Sequence, residues 1–333
     1  MSNCYIDIVD TCNLRCATCV RGTHLFAHSA KSMSINLFTK VIEKAKAEGY
    51  VVICLYNWSE PFLAKALPEY IAAVRDQGLW CEVSSNLSLQ PQTYSNIIER
   101  SLAAGMGRLI VSVSGYSQAV YEINHAGGNI SWVKENLEHI SRLRRAGSIS
   151  TVVSLRLIRF DYNAKEQDVL KEYADSLGLD FEALDGAGHP DHPIASSCSE
   201  EYLLSRLKKF NPARRFEKTG ELCPLIMETI SIDTEGDVYI CCGNPNYPFL
   251  RIGAYLELPK DDILLKRYTH PICPSCTFPR RKATASDCKA LVDALKSRLG
   301  NPGTERTAEG NPHGSVIKEI VANVFREGHR WLS

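Results

Sequence analysis

The sequence predicts an α/β fold: a partial (β/α)6 barrel of the TIM type, followed by a small C-terminal domain with a β-hairpin, a helix and clustered cysteines. Two observations lead to this prediction. Short apolar strands alternate with amphipathic helical segments over residues 1–185, and a hairpin pattern with clustered cysteines follows after residue 190. Strands that alternate with helices are typical of parallel βα units, each with a right-handed crossover.

The barrel elements follow one another without interruption. The strands are rich in apolar residues and are predicted at 4–9, 51–56, 80–85, 108–114, 151–158 and 180–184. The helices have an apolar face and end at a glycine, and are predicted at 35–49, 67–78, 93–105, 130–147 and 166–178. Because the chemistry of such barrels lies at the carboxyl ends of the strands, we expect the active site in the loops that follow them.

The C-terminal part has a different pattern. A helix is predicted around 199–210, and "TISI" and "DVYI" flank the turn "DTEG" in a hairpin within 223–242, whose turn glycine can take a positive φ. A helix over 285–299 precedes a polar linker at 300–314 and an amphipathic helix at 315–325. The predicted domains are a barrel (1–190), a cluster-binding domain (191–296) and a linker with a helix (297–333).

Composition excludes several classes of partner. The chain has 333 residues, of which 44% are hydrophobic, so it can bury a large core. Lysine and arginine total 38, as do aspartate and glutamate, so no basic field attracts nucleic acid or an anionic membrane. No apolar run reaches the ~18–20 residues of a membrane span. The N-terminus enters a strand at once rather than a signal-like segment, which predicts a cytoplasmic protein.

The cysteines are numerous and clustered. Of 13 cysteines, most fall into two groups, one at 12–19 and one at 223–288, and in a cytoplasmic protein such spacing indicates metal binding or catalysis rather than disulfides. The first group, "CNLRCATC", follows the first strand and offers three thiolates. A structural zinc site needs four ligands, whereas a cubane iron–sulfur cluster with three leaves one iron open to a small molecule. Cys54 and Cys81 lie in strand patterns and are expected in the core.

With this loop placed before a series of βα units, the sequence resembles the radical S-adenosylmethionine (SAM) enzymes over roughly residues 4–290. The resemblance implies that Cys12, Cys16 and Cys19 bind a [4Fe-4S] cluster whose open iron chelates SAM. It further implies that reduction, by a donor such as flavodoxin or ferredoxin, cleaves SAM to a 5′-deoxyadenosyl radical that takes hydrogen from the substrate. Thr18 departs from the family, in which an aromatic residue commonly precedes the third cysteine.

The resemblance also implies a set of residues that contact SAM. The stretch "YNWSEPFL" (56–63) is similar to the family's GGEP motif, although Asn57, Trp58 and Ser59 replace the glycines, and its backbone and Glu60 would hold the SAM ammonium. Arg156 on the fifth strand could pair with the SAM carboxylate, since a charge inside a barrel needs a partner. The remaining candidates lie at strand ends, where turn or N-cap roles are equally open to them: Asn86, Ser112, Ser114 and Asn163.

The second cysteine group resembles the twitch domain, the shorter form of the SPASM extension. Cys223, twelve residues, Gly236, four residues and Cys241 precede a distal Cys273-x2-Cys276. The resemblance implies that these four cysteines hold one auxiliary [4Fe-4S] cluster; a structural zinc ribbon is the alternative. The basic run "PRRK" (279–282) is either a solvated patch or a docking point for an acidic electron donor or a phosphorylated substrate.

Three functions follow from these patterns. The first is a radical enzyme acting on a small polar molecule such as a sugar or aminocyclitol, the second is a peptide-modifying enzyme, and the third is a non-enzymatic iron–sulfur or zinc protein. For the first, the auxiliary cluster could accept a second electron and give an oxidised product. Alternatively, a free thiol of Cys242 or Cys288 could return hydrogen from the opposite face and invert the carbon. Period-two alternation should turn Cys242 away from the cluster, and the pattern favours oxidation.

Overall fold

The computed structural model describes residues 2–23, 31–186, 204, 221–273, 276, 278 and 280–299. The strands are β1 (Asn3–Ile6), β2 (Val52–Cys54), β3 (Trp80–Ser85), β4 (Arg108–Val113), β5 (Val152–Arg159), β6 (Asp180–Asp185), β7 (Glu221–Leu222), β8 (Thr229–Ile232), β9 (Asp237–Tyr239), β10 (Arg251–Ala254) and β11 (Arg281–Lys282). The α-helices are α1 (Val20–Thr23), α2 (Ile35–Ala47), α3 (Leu67–Asp76), α4 (Pro91–Ala103), α5 (Gln118–Asn124), α6 (Ile130–Arg145), α7 (Gln167–Leu177), α8 (Pro224–Glu228), α9 (Lys260–Tyr268) and α10 (Ala285–Leu299).

One mixed sheet organises these elements. Its order is β10-β9-β8-β1-β2-β3-β4-β5-β6, so β1 to β6 run in sequence order, and each of these neighbouring pairs is parallel. The sheet does not close on itself among the described residues, which confirms the predicted partial barrel. Helices α2, α3, α4, α6 and α7 join successive strands, as the alternating pattern predicts.

The predicted hairpin is present as β8 and β9. Gly236 in its turn has φ +83°, the conformation that the "DTEG" pattern predicts. β8 pairs in parallel with β1, with Cys4 opposite Ile230, so the hairpin continues the barrel sheet rather than forming a separate layer. The predicted boundary at residue 190 therefore divides the sequence but does not divide the sheet.

The core lies between the helices and one face of the sheet. Alternate strand residues such as Ile6, Ile53 and Val83 are fully buried there, and Cys81 packs with them. Cys54 is also fully buried, as the sequence predicts. The long helices end at glycines with positive φ, for example Gly178 with φ +69° after α7.

The inner face of the curved sheet carries charge instead. Tyr5 and Tyr56 meet edge to face, and the Tyr56 hydroxyl donates to the carboxylate of Glu82 at 2.5 Å. Further along the sheet, Arg108 pairs with both Glu82 and Glu182. The interior of the partial barrel is thus lined by polar groups that already bind one another.

Some expectations concern other parts of the chain. The helix predicted over 285–299 is present as α10. The helix predicted around 199–210, the linker at 300–314 and the helix at 315–325 lie outside the described residues, save for Leu204. Within the described ranges, no helix is both long and apolar enough to cross a bilayer.

Candidate active site

The loop with the first three cysteines follows β1 at its carboxyl end. The Cys19 N–H donates to the Cys16 carbonyl at 3.1 Å, and the Gly22 N–H donates to the Cys19 carbonyl at 3.0 Å. Burial, and next the neighbouring thiols, raise the pKa of Cys16 well above its usual value, and burial raises the pKa of Cys12 to about 12. The three thiols are thus half-buried neighbours, and a metal must displace their protons to bind them.

Gly22 shapes this loop from inside. A Cβ atom placed on Gly22 would lie 2.3 Å from the carbonyl oxygen of Cys16 and 2.6 Å from the carbonyl carbon of Arg15. Real side chains do not approach backbone so closely, so only glycine fits here. Gly22 was not among the residues predicted for the site, although a glycine three residues after the last cysteine was a visible signal.

The loop rests on α5 and the turn after it. The Thr18 N–H and hydroxyl both donate to Asn124 Oδ1, at 3.0 and 2.8 Å, and the Ala17 N–H donates to the Asn124 carbonyl at 2.9 Å. The Arg15 N–H donates to the Ala126 carbonyl at 3.0 Å. Thr18, which departs from the family pattern, therefore has a structural partner of its own. Sequence reasoning missed Asn124, which lies 106 residues from Thr18.

The second loop, residues 57–60, follows β2 and is held by Asp7. The Trp58 N–H and the Ser59 hydroxyl donate to Asp7 Oδ1 at 3.0 and 2.7 Å. Asp7 is only 3% exposed, and burial raises its pKa to about 6. Its Oδ2 atom is buried and has no hydrogen-bond partner among the described residues. Asp7 was not predicted as a site residue.

Glu60 lies at the centre of the strand ends. Its carboxylate is 1% exposed and accepts from Ser85 Oγ at 2.8 Å and from the Asn86 N–H at 2.9 Å, while the Phe62 N–H donates at 3.2 Å. Burial raises its pKa to about 7. The Glu60 N–H donates to the Thr11 carbonyl at 2.9 Å, which ties the second loop to the first. Glu60 lies beside the cysteines, and the SAM contact predicted for it would add to these bonds.

Asn86 connects the end of β3 to the cysteine loop. Its Nδ2 donates to Asn13 Oδ1 at 3.0 Å and lies 3.9 Å from Cys12 Sγ. The next residue, Leu87, has φ +50° although it is not glycine, and it is fully buried. Such backbone strain persists only where the surrounding structure imposes it, and it clusters at functional sites.

The other predicted cofactor residues have protein partners. Ser114 Oγ donates to the Tyr121 carbonyl at 2.8 Å. The Asn163 amide is fully buried, accepts from the Phe160 N–H at 2.7 Å and donates to the carbonyls of Ser114 and Ile158 at 3.0 Å each. These bonds are those of turn residues, the alternative that the sequence left open. A ribose contact through Asn163 Nδ2 would have to break one of its two bonds, since both N–H groups are used.

Arg156 is half-buried on the inner face, and Ser112 lies opposite it on β4. The Arg156 guanidinium binds the carboxylate of Glu182 on β6, with Nε and Nη2 at 3.0 and 2.9 Å from Oε2. The partner that a charge in the barrel requires is thus supplied by the protein. The predicted pairing of Arg156 with the SAM carboxylate would use its remaining N–H groups or require Glu182 to be exchanged.

The C-terminal cysteines gather around the end of β9. Cys241 packs with Cys273 in a small apolar cluster, and its Sγ accepts from Asn244 Nδ2 at 3.1 Å. Cys223 precedes α8, and burial raises the pKa of Cys241 to about 12. In the basic run, Arg281 bonds Glu228 and Asp287, so that charge is neutralised. Docking of an electron donor there stays a prediction.

The two candidate free thiols have different surroundings. Cys242 Sγ lies 3.7 Å from Thr229 Oγ1, and Cys223 is among the charges that affect its pKa, which burial raises. Both Cys241 and Cys242 follow the end of β9, beyond the strand to which period-two alternation applies, so the turn of Cys242 away from the cluster stays a prediction. Cys288 lies on α10, where burial, followed by Asp287, raises its pKa.

The chemistry of the side chains at the first cysteine group indicates which metal or cluster could bind there. Among the residues that the structure describes, no three His, Cys, Asp or Glu side chains converge closely enough for a single metal ion. Thiolates are the ligands that hold iron–sulfur clusters, and three of them leave one iron open. The all-sulfur donor set of Cys12, Cys16 and Cys19 in the loop after β1 fits such a cluster.

Comparisons with known proteins agree with this site. The model of the radical SAM superfamily matches residues 6–172, half of the chain, including the cysteine loop and β2 to β5. A probable GTP 3′,8-cyclase from Methanococcus maripaludis is 23% identical over 173 residues, covering 52% of this chain. That match covers 55% of the cyclase, so the chain spans about half the length of this curated relative.

Solved structures share the fold. SuiB from Streptococcus suis, bound to S-adenosylmethionine, superposes with a TM-score of 0.57 at 12% identity, over 81% of this chain and 66% of SuiB. The anSMEcpe protein with bound AdoMet superposes with a TM-score of 0.51 at 13% identity, over 90% of this chain and 97% of that protein. With three thiols in the loop after β1 and half of the chain matched by the family model, the chain belongs to the radical SAM superfamily, whose enzymes use a [4Fe-4S] cluster and SAM.

Proposed function

We propose that the chain is a radical SAM oxidoreductase that oxidises a small polar substrate by two electrons. Cys12, Cys16 and Cys19 would hold the [4Fe-4S] cluster that binds SAM. When bound, these groups supply the 5′-deoxyadenosyl radical that takes a hydrogen atom from the substrate. Cys223, Cys241, Cys273 and Cys276 would hold an auxiliary cluster as the acceptor of the second electron.

The observation that carries the proposal is the contact between the second loop and the hairpin. The side-chain amide of Asn57 lies 3.0 Å from Ser231 Oγ. When the amide is oriented so that its oxygen accepts from Ser231 Oγ, its nitrogen donates to the Cys242 carbonyl at 3.1 Å. A single side chain, that of Asn57, therefore connects the loop similar to the SAM-binding motif with the end of β9, which Cys241 follows. This proximity supports a short path from a substrate radical to an auxiliary acceptor.

The inner face supports a polar substrate. Arg108, Arg156, Glu82 and Glu182 lie there with Tyr56, and their hydrogen bonds form a connected network. A polar molecule with hydroxyl or amino groups can exchange hydrogen bonds with such a surface, whereas an apolar one would displace water from these charged groups without offering hydrogen bonds in return. Sugars and aminocyclitols are the substrate class that we propose to test first.

The test is anaerobic reconstitution with iron and sulfide, followed by SAM and dithionite. We expect two clusters per chain and release of 5′-deoxyadenosine. Replacing Cys12, Cys16 and Cys19 together by alanine should remove about half of the iron and all SAM cleavage, since thiolates hold such clusters. The core variant Cys81→Ala is the control and should keep its iron. Full iron content in the triple variant would contradict the assignment of the open site.

A specific observation also favours a second function, epimerisation with Cys242 as hydrogen donor. The Cys242 carbonyl lies within hydrogen-bond distance of the Asn57 side chain in the second loop, which brings this residue close to the proposed SAM site. Turnover in deuterium oxide separates the two reactions. A product two mass units lighter supports oxidation, whereas solvent deuterium at an inverted carbon supports epimerisation. In the second case Cys242→Ala should abolish inversion and Cys288→Ala should not.

A further inference from the structure

Arg267 on α9 is a buried cation of unusual surroundings. It is 2% exposed, and within the described residues its guanidinium donates to backbone carbonyls alone. The acceptors are Ile240 from Nε at 2.7 Å, Thr229 and Ile226 from Nη1 at 2.6 and 3.3 Å, and Leu225 from Nη2 at 2.7 Å. Among the described residues, no carboxylate forms an ion pair with it.

A buried charge without an opposite charge is costly, even when carbonyl dipoles bind it. Carbonyls stabilise the guanidinium but do not neutralise it. An anion close to the guanidinium in the functional state of the protein would offset this cost. The identity of that anion can be read from the segments that surround Arg267.

The carbonyls come from the segments that carry the C-terminal cysteines. Leu225 and Ile226 follow Cys223 in α8, and Ile240 directly precedes Cys241. The Cys273 thiol lies 3.6 Å from the carbonyl oxygen of Arg267 itself. The guanidinium is thus bound by the backbone that flanks Cys223 and Cys241.

We propose that Arg267 is the counter-charge of an anionic thiolate–metal cluster at Cys223, Cys241, Cys273 and Cys276, and that it raises the reduction potential of this cluster. The proposal rests on the auxiliary cluster of the proposed function. Metal binding converts neutral thiols into thiolates, which gives the buried cation its missing partner. Reduction adds a further negative charge at the same place, so a fixed cation favours the reduced state and makes the cluster a better electron acceptor.

The experiment uses the full chain with Cys12, Cys16 and Cys19 replaced by alanine, so that only the C-terminal cluster contributes. Arg267→Gln keeps a hydrogen-bond donor without the charge, and Arg267→Lys keeps the charge with fewer donors. The readouts are iron per chain and the midpoint potential from a redox titration followed by electron paramagnetic resonance. We expect Arg267→Gln to shift the ratio of oxidised to reduced cluster at least tenfold toward the oxidised form. This shift lowers the midpoint potential by about 59 mV for a one-electron couple. Loss of the cluster in Arg267→Gln alone would also support the proposal. Arg267→Lys should retain the cluster with a potential near that of the parent.

A matched control is Arg251→Gln, since Arg251 pairs with Asp237 at the surface of the same sheet, and this change should leave the potential unaltered. Equal potentials in Arg267→Gln and the parent would overturn the proposal. Loss of the cluster, or of folding, in both Arg267→Gln and Arg267→Lys would also overturn it. Lysine keeps the positive charge, so such a result would mean that the hydrogen bonds to the carbonyls, and not the charge, are the reason for an arginine at this position. Absence of iron in the parent background contradicts the auxiliary cluster itself, and it is seen before Arg267 is altered.

Discussion

Asp7 and Ser59 are joined by a hydrogen bond of 2.7 Å from the Ser59 hydroxyl to Asp7 Oδ1, which also accepts from the Trp58 N–H. Asp7 comes directly after β1, whereas Ser59 belongs to the loop after β2. The bond therefore fixes the positions of two loops that the chain separates by a whole helix. Since glycines are absent from this loop, we infer that Asp7 sets its conformation through these bonds.

Asp7 should give the stability of the metal-free chain a distinct pH dependence. Burial raises its pKa from 3.8 to about 6, so the folded state holds the proton more tightly than the unfolded state. The stabilisation is full below about pH 4 and is lost as the pH rises to 6, with an upper bound of about 3 kcal/mol at 1.36 kcal/mol per pKa unit. Glu60 acts in the same direction between pH 4.5 and about 7.

Urea unfolding at a series of pH values from 4 to 8 measures this effect. Asp7→Asn should remove the contribution of Asp7 to the fall in unfolding free energy between pH 4 and 6. The contribution of Glu60, which extends to about pH 7, should remain. A variant whose stability follows the wild-type curve over that interval would show that Asp7 is not the titrating group.

Glu60→Gln should impair SAM cleavage more strongly than its small change in size suggests. The Glu60 carboxylate accepts from the Asn86 N–H and from the Ser85 hydroxyl. In glutamine an amide nitrogen replaces one of the two oxygens, so one of these donors would meet another donor instead of an acceptor. A buried donor without an acceptor costs about 1–3 kcal/mol. We expect at least a tenfold loss of 5′-deoxyadenosine formation with iron content retained. Glu69→Gln, which alters an exposed pair with Arg100, is the control and should behave as wild type.

Gly22→Ala should disrupt the N-terminal cluster selectively. The new methyl group would overlap the backbone of Cys16, so the loop must shift and its thiols must separate. Iron analysis should show loss of about half of the iron, with the C-terminal cluster kept. Gly78→Ala is the matched control: Gly78 has φ +70° in open space, so this change should cost about 1 kcal/mol of stability without loss of iron. Equal iron content in both variants would contradict the prediction.

Asn57 and Ser231 should show energetic coupling between the barrel loop and the hairpin. They are 3.0 Å apart, and Ser231 is fully buried. A double-mutant cycle with Asn57→Ala and Ser231→Ala, measured by urea unfolding, should give a coupling of about 1 kcal/mol. The same cycle with Ser154→Ala in place of Ser231→Ala is the control. A coupling of zero for the first pair would mean that the contact does not join the two parts.

Several features of the fold and of the site could be predicted from the sequence alone. Hydrophobic periodicity is a local property, so the six parallel strands and the helices between them could be predicted, as could the hairpin with Gly236 at its turn. The "CNLRCATC" spacing is equally local, and the family match confirms the class of enzyme that it predicted. The burial of Cys54 and Cys81 follows from the same alternation.

Only the tertiary structure decided which residues meet across these elements. Asn124 holds Thr18 from 106 residues away, Glu182 takes Arg156 as its partner, and the hairpin joins the sheet beside β1. None of these contacts has a local signal, because each depends on the crossovers and strand register that bring distant segments together. The sequence by itself determined the elements and the thiols, whereas the partners that position the thiols, from Gly22 to Arg267, were decided by packing.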